Sequence, residues 1–263
     1  MPATLPSLIG VLHLPPLPGS PRFGGSLGAV VDRAAEDARA LASAGFEAII
    51  LENFGDAPFF PDRVPPVTVA AMTACALAAR AAAPTLPLGI NVLRNDAEAA
   101  LSVAIAAGAE MIRINVHAGT RVTDQGVVAG RAHETVRLRA ALGAAHVRLL
   151  CDVDVKHAAP LAARPIDEEA EELAGRGLAD AVLVTGAGTG RGVARDHLAA
   201  VLAAVDVPVL VASGATEETL ADLRGAHGVI VGSALRRSGR AGDPVDPEVA
   251  ARFASAFRRS WRD

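Results

Sequence analysis

Eight short aliphatic runs, each followed by a polar loop and an alanine-rich stretch, recur along this chain at an average spacing of roughly 31 residues. This is the alternation of βα units. Strands are predicted near Leu8–Leu12, Ala48–Glu52, Leu88–Val92, Met111–Val116, Val147–Val153, Ala181–Thr185, Val207–Ala212 and Gly228–Val231. Helices are predicted to begin near Leu27, Pro66, Ala97, Ala129, Ile166, Arg195, Glu217 and Pro247. Eight such units fit a closed (β/α)8 TIM barrel, one domain over residues 1–263. An open Rossmann-like sheet is the alternative, but it usually needs fewer strands and a switch point.

In a barrel of this kind, the loops leaving the strands build the catalytic face and those entering them mainly serve stability. The two sets differ here. Entering loops are short and bland, as in Ala107-Gly108-Ala109 or Val205-Asp206. Leaving loops carry the polar residues: His13 to Ser26, Glu52 to Pro65, Val92 to Asp96, Asn115 to Gly130, Asp152 to Pro165 and Gly186 to Val193. That asymmetry favours an active site over a purely structural barrel.

One of those loops holds Lys156, the only lysine among 25 basic residues. Arginine replaces lysine readily where a solvated charge suffices, but a guanidinium neither loses its proton nor forms a Schiff base. Lys156 follows a strand in which Asp152 and Asp154 share its period-two face with Leu150. On the fourth strand Arg113 and Asn115 share a face, with Ile112, Ile114 and Val116 on the other. Inward polar residues need partners, so Arg113 and Asp152 either form a structural ion pair or help gather a substrate.

His13, Glu52, Asn53, Asp56, Asn91, Asn95 and Asp96 extend this polar ring around the first three strands. Residues of these types at successive strand ends can hold a divalent metal, although no HxH or HExxH spacing occurs. Helix capping, for instance by Asn95 before Ala97, is the simpler account for part of the set. The last two strands end in Ser213-Gly214 and Gly232-Ser233, followed by Arg236 and Arg237. These are the positions where many barrels bind phosphate through backbone N–H groups. Gly186-Ala187-Gly188-Thr189-Gly190-Arg191-Gly192 offers a cradle or lid but lacks the P-loop ending. The proline-rich first loop, His13 to Pro21, is expected to form a rigid wall. Phe54, Phe59 and Phe60 in the second serve as an apolar cover or a subunit contact.

Net charge is −4 with scattered arginines, which excludes a basic nucleic-acid footprint. The two cysteines, Cys75 and Cys151, have no metal-knuckle spacing and suggest a reducing, cytoplasmic setting. No run of about 18 apolar residues occurs. The protein is expected to be soluble or at most peripheral on a membrane, and homo-oligomeric.

Several long motifs occur in a fixed order: Gly10-Val11-Leu12-His13-Leu14-Pro15-Pro16-Leu17-Pro18-Gly19, Glu52-Asn53-Phe54-Gly55-Asp56-Ala57-Pro58-Phe59, Gly89-Ile90-Asn91-Val92-Leu93-Arg94-Asn95-Asp96, Ile112-Arg113-Ile114-Asn115-Val116, Thr123-Asp124-Gln125-Gly126, Asp152-Val153-Asp154-Val155-Lys156-His157 and Val231-Gly232-Ser233. With these the chain resembles the BtpA family, which extends to SgcQ-like proteins, nearly end to end. The resemblance implies a barrel of the phosphate-binding kind and, for the photosynthetic member, a role in accumulating photosystem I.

Two functions follow as expectations. The first is an enzyme for a small phosphorylated or sugar-like metabolite, with lyase, isomerase or glycosyl-type chemistry. Its catalytic candidates are Lys156, Asp152, Asp154, Glu52 and His13. Its substrate-binding candidates are Asn53, Asp56, Asn91, Arg113, Asn115 and Thr185, and its phosphate-binding candidates are Gly186, Ser213, Gly214, Gly232 and Ser233. The second is a non-catalytic assembly factor, as for photosystem I, using the barrel as a binding scaffold.

Overall fold

The computed structural model describes residues 4–186 and 193–261. The aliphatic runs form eight parallel strands: β1 (Leu8–His13), β2 (Ala48–Glu52), β3 (Leu88–Asn91), β4 (Met111–Ile114), β7 (Arg148–Asp152), β9 (Ala181–Val184), β10 (Val209–Val211) and β11 (Gly228–Val231). They close into a barrel in the order β1-β11-β10-β9-β7-β4-β3-β2. An open sheet is thereby excluded. Strand residues alternate between two cores because successive side chains point to opposite faces. Ile9, Val11, Ile50, Met111, Leu150, Leu183 and Ile230 fill the interior, while Leu8, Leu12, Ile112, Ile114, Leu149, Cys151 and Val229 pack against the helices.

The helices are α1 (Leu27–Ala44), α2 (Pro66–Ala82), α3 (Ala97–Ala107), α4 (Ala132–Ala141), α5 (Ile166–Gly175), α6 (Arg195–Ala204) and α7 (Pro247–Trp261). α1 shows why these segments are helical: Val30, Ala34, Ala38 and Leu41 recur on one buried face. Its N-terminus is capped by Ser26 and its end by Gly45 at φ 84°. α3 is capped by Asp96, whose carboxylate accepts from the Ala99 N–H at 2.9 Å. The expectation that Asn95 does this is corrected, for its amide instead bonds both backbone groups of Val116 at 2.8 Å, tying the third loop to the fourth.

Two predicted helix starts also change. The stretch around Ala129 belongs to a hairpin of β5 (Thr120–Thr123) and β6 (Gly126–Ala129), and α4 begins only at Ala132. β-Branched residues flank the Asp-Gln-Gly turn, where Gly126 takes φ 97°. With β8 (Ala158–Pro160) the hairpin forms a small antiparallel sheet beside the barrel mouth. Arg121 pins it there by donating to the Val153 carbonyl at 2.8 Å and pairing with Glu169. The helix expected from Glu217 shrinks to a single 3-10 turn, Leu220–Leu223. Gly225 at φ 103° and the start of β11 at Gly228 leave it no room to extend.

Candidate active site

Register fixes a polar layer above the apolar interior. His13 pairs with Glu52, Glu52 with Asn91 and Asn91 with Arg113, so four adjacent strands present one row at the same height. Above it opens a cavity of about 140 Å³, room for only a small ligand. Its wall takes His13, Glu52, Arg113 and Asn115 from the early strands and Lys156 from the loop after β7. Ser213 to Ala215 and Gly232 to Ala234 close it from the last two strands.

Arg113 and Asp152 form the pair the sequence suggested. Nε and one terminal nitrogen of Arg113 donate to the two carboxylate oxygens at 3.0 Å each, and the Asn115 amide donates to the same carboxylate at 2.7 Å. Burial alone would lower the Arg113 pKa, but the Asp152 charge and hydrogen bonds more than offset it. Asp152 is thus engaged in holding Arg113 and Asn115 in place.

His13 and Glu52 face each other with Nε2 3.8 Å from Oε1. The Gly242 N–H donates to His13 Nδ1 at 3.2 Å, which assigns the remaining ring proton to Nε2, on the Glu52 side. Phe54 packs on the imidazole with ring centroids 4.5 Å apart. Burial holds the His13 pKa well below its ordinary value, with Arg236 and Lys156 adding to the effect. Burial also raises the Glu52 pKa, against the pull of Arg113 and Lys156. Burial thus shifts both groups toward their neutral forms.

Lys156 lines the cavity, partly buried. Burial and Arg113 lower its pKa while Glu52 and Asp152 raise it, and the lowering wins. Its carbonyl accepts from Arg94 at 2.6 Å, and the Arg94 guanidinium lines the cavity as a third cation. Sequence reasoning missed Arg94, one arginine among 24, because only the fold brings it beside Lys156.

Ser213, Gly214, Gly232 and Ser233 all line the cavity. The N–H groups of Gly214, Ser233 and Ala234 have no acceptor among the described residues. Gly232 is required sterically, since a Cβ there would lie 2.9 Å from His13 Cε1. Arg236 and Arg237 are not in the wall. Arg236 is buried and bonds the carbonyls of Val11, Gly232 and Asp243, and Arg237 pairs with Asp246.

Three candidates turn out to join loops. Asn53 bonds Asp56 at 3.0 Å and the Leu93 N–H at 2.7 Å, and Asp56 accepts from the Leu17 N–H at 2.7 Å, so the first three loops are stitched together. The Thr185 hydroxyl donates to the Asp154 carbonyl. Asp154 feels Arg121 and His197 and is not part of the cavity wall. Gly186 is buried and likewise outside the wall, and the rest of its glycine-rich segment, 187–192, lies outside the described residues. Phe54 and Phe59 line the cavity, whereas Phe60 is 52 % exposed. Among the described residues no three His, Cys, Asp or Glu side chains cluster to hold a metal. Both cysteines are buried and free, and no described helix is long and apolar enough to cross a membrane.

The model of the BtpA family matches residues 4–259. The photosystem I biogenesis protein BtpA of Synechocystis is 44 % identical over 252 residues, covering 95 % of this chain and 87 % of that protein. Among solved structures, thiamine phosphate pyrophosphorylase from Pyrococcus furiosus aligns at TM-score 0.59 and 14 % identity, covering 96 % and 94 % of the two chains. The (S)-3-O-geranylgeranylglyceryl phosphate synthase of Thermoplasma acidophilum, solved with sn-glycerol-1-phosphate, aligns at 0.57 and 17 %, covering 97 % and 93 %. At such identities the structural likeness bears on the fold.

Proposed function

The chain belongs to the BtpA family, and from that premise we propose that it is an enzyme acting on a small phosphorylated metabolite. One observation carries the reading: a single cavity unites the glycine-serine turns after β10 and β11 with the only lysine and a protonatable Glu52–His13 pair. The phosphate binds the N–H groups of Gly214, Ser233 and Ala234, as at the ends of the last two strands in many barrels. Barrels of like fold that handle phosphate esters, such as the synthase above, support this by analogy.

With the phosphate anchored, the reacting carbon lies toward Lys156. The neutral amine takes a proton from a carbon next to a carbonyl, the electron pair moves into the enol, and Glu52 gives its proton to the oxygen. In the Schiff-base variant the amine nitrogen attacks the carbonyl and water leaves. Asp152 acts through Arg113 and Asn115, as a positioning residue. The setting is cytoplasmic, which suits two free buried cysteines, and exposed Phe60 serves contact between copies.

Thermal unfolding with inorganic phosphate and a panel of phosphorylated metabolites tests the reading. A ligand at about 100 times its Kd adds roughly 2.7 kcal/mol, about 5–11 °C for a chain of this size. Ser233→Asp, which places a like charge among the N–H groups, should remove that shift without unfolding the barrel. Equal shifts in parent and variant would move the phosphate elsewhere. The relative's name supports a second reading, an assembly factor for photosystem I; it gains if no phosphorylated compound shifts the melting temperature.

A further inference from the structure

Arg94 is a buried cation without a counter-charge. The residue is 8 % exposed, its one side-chain hydrogen bond goes to the Lys156 carbonyl at 2.6 Å, and no carboxylate pairs with it among the described residues. Burial lowers its pKa more than the charges of Asp152, Glu52 and Asp124 raise it. Other buried arginines are answered: Arg113 by Asp152, Arg121 by Glu169, and Arg236 by three carbonyls. A charge held out of water without a partner is costly, so an anion taken into the cavity would complete the pair. The way to it is open. Nε of Arg94 is sealed from solvent, but its partnerless Nη1 is not, and neither is Nη1 of Arg113, whose Nε and Nη2 are engaged by Asp152. Both residues line the cavity.

Position separates these two guanidinium groups from the phosphate site. In the closed ring β4 stands directly across from β11, and β3 directly across from β10. Arg113 on β4 and Arg94 after β3 therefore lie on the opposite side of the cavity from the bare N–H groups of Gly214, Ser233 and Ala234. A guanidinium only donates, so what it meets there must accept. Among anions a carboxylate fits best. It is planar, like the edge of a guanidinium, and it is smaller than a second phosphate in a cavity of about 140 Å³. One negative charge also closes the balance, since Arg113 already answers Asp152 and only Arg94 is left over. We infer that Arg94 and Arg113 form a carboxylate subsite, so that the substrate is a phosphorylated carboxylic acid held at both ends, its carboxylate on the β3 and β4 side and its phosphate at the β10 and β11 loops. The inference rests on the phosphate reading above and narrows it, excluding phosphorylated alcohols of similar size.

Binding of two matched pairs tests it: sn-glycerol 3-phosphate against 3-phospho-D-glycerate, and D-erythritol 4-phosphate against 4-phospho-D-erythronate. Within each pair only the terminal group differs, an alcohol in one and a carboxylate in the other. In at least one pair the parent should bind the acid about tenfold or more tightly, the effect of a charge-assisted hydrogen bond. Arg94→Met keeps an unbranched apolar stem and removes the charge. It should bring acid and alcohol to within about twofold of each other while the alcohols bind as they do to the parent. Arg94→Gln serves if the methionine variant does not fold. No preference in either pair, or a preference that survives the substitution, overturns the inference alone. Equal loss of acid and alcohol binding in the variant does so too, and marks Arg94 as a prop for the Lys156 loop. Failure of all four compounds to bind overturns the phosphate reading and the inference with it.

Discussion

Asp152→Ala should be among the most damaging single changes in this barrel. The carboxylate accepts three hydrogen bonds, two from Arg113 and one from Asn115, and its side chain is wholly buried while that of Arg113 is 8 % exposed. Deleting it leaves a guanidinium with its counter-charge gone in a low-dielectric layer, a change that costs about 3–5 kcal/mol. At about 2–4 °C per kcal/mol for a chain of this size, the melting temperature should fall by roughly 6–20 °C. Urea unfolding of the parent, Asp152→Ala, Arg113→Met and the double variant gives the coupling. The double variant should be more stable than Asp152→Ala alone, because removing both charges removes the unpaired one. An Asp152→Ala protein within about 1 kcal/mol of the parent, or single effects that simply add, would show that solvent reaches this layer and that the argument from burial fails.

Further outcomes follow from other contacts. Because the folded His13 pKa lies below its ordinary value of 6.5, the unfolded chain binds the proton first, so this contribution is full above about pH 6.5 and is lost as the pH falls below it; in ligand-free unfolding the stability of His13→Gln should decline less than the parent's between pH 7 and 5. Lys156→Arg keeps the charge but cannot give up a proton, so turnover, measured once a substrate is in hand, should drop by about 100-fold or more; undiminished activity would remove Lys156 from the chemistry. Gly55→Ala would set a Cβ 2.3 Å from the Pro16 backbone nitrogen, forcing the first and second loops apart at about 1–3 kcal/mol; a melting temperature unchanged from the parent would show that the loops are not wedged.

The barrel was legible because its evidence is periodic. Every predicted strand overlaps an observed one, and the face assignments on β4 and β7 follow from alternation, which is why Arg113 and Asp152 could be paired in advance. The hairpin at Thr120–Ala129 was hidden inside a loop whose Asp-Gln-Gly turn lacks the stronger Asn-Gly signal. Period-two reasoning also overreached past the end of β7. Asp154 and Lys156 share a parity with Asp152, yet the strand stops at Asp152, and the chain then turns so that Lys156 reaches the cavity and Asp154 does not. Asn53, Asp56 and Thr185 were recognised as important residue types in the right loops, but a side chain that joins two loops and one that touches a substrate look alike in a single sequence.

The charges of the cavity suggest how its two halves depend on each other. Arg94 and Arg113 bring two guanidinium cations beside Lys156, Asp152 supplies one anion already engaged by Arg113, and burial shifts Glu52 and His13 toward their neutral forms. Burial first, and the Arg113 charge after it, lower the Lys156 pKa against the pull of Glu52 and Asp152. On the proposed function, a phosphate bound at the β10 and β11 loops would raise the Lys156 pKa again and weaken it as a base. That reading therefore requires the phosphate to be held at the far wall, by the N–H groups of Gly214, Ser233 and Ala234. In the proposed enzyme, backbone recognition after the last two strands and the lysine after β7 would thus form one arrangement, with anion binding and base strength kept apart by the width of the barrel.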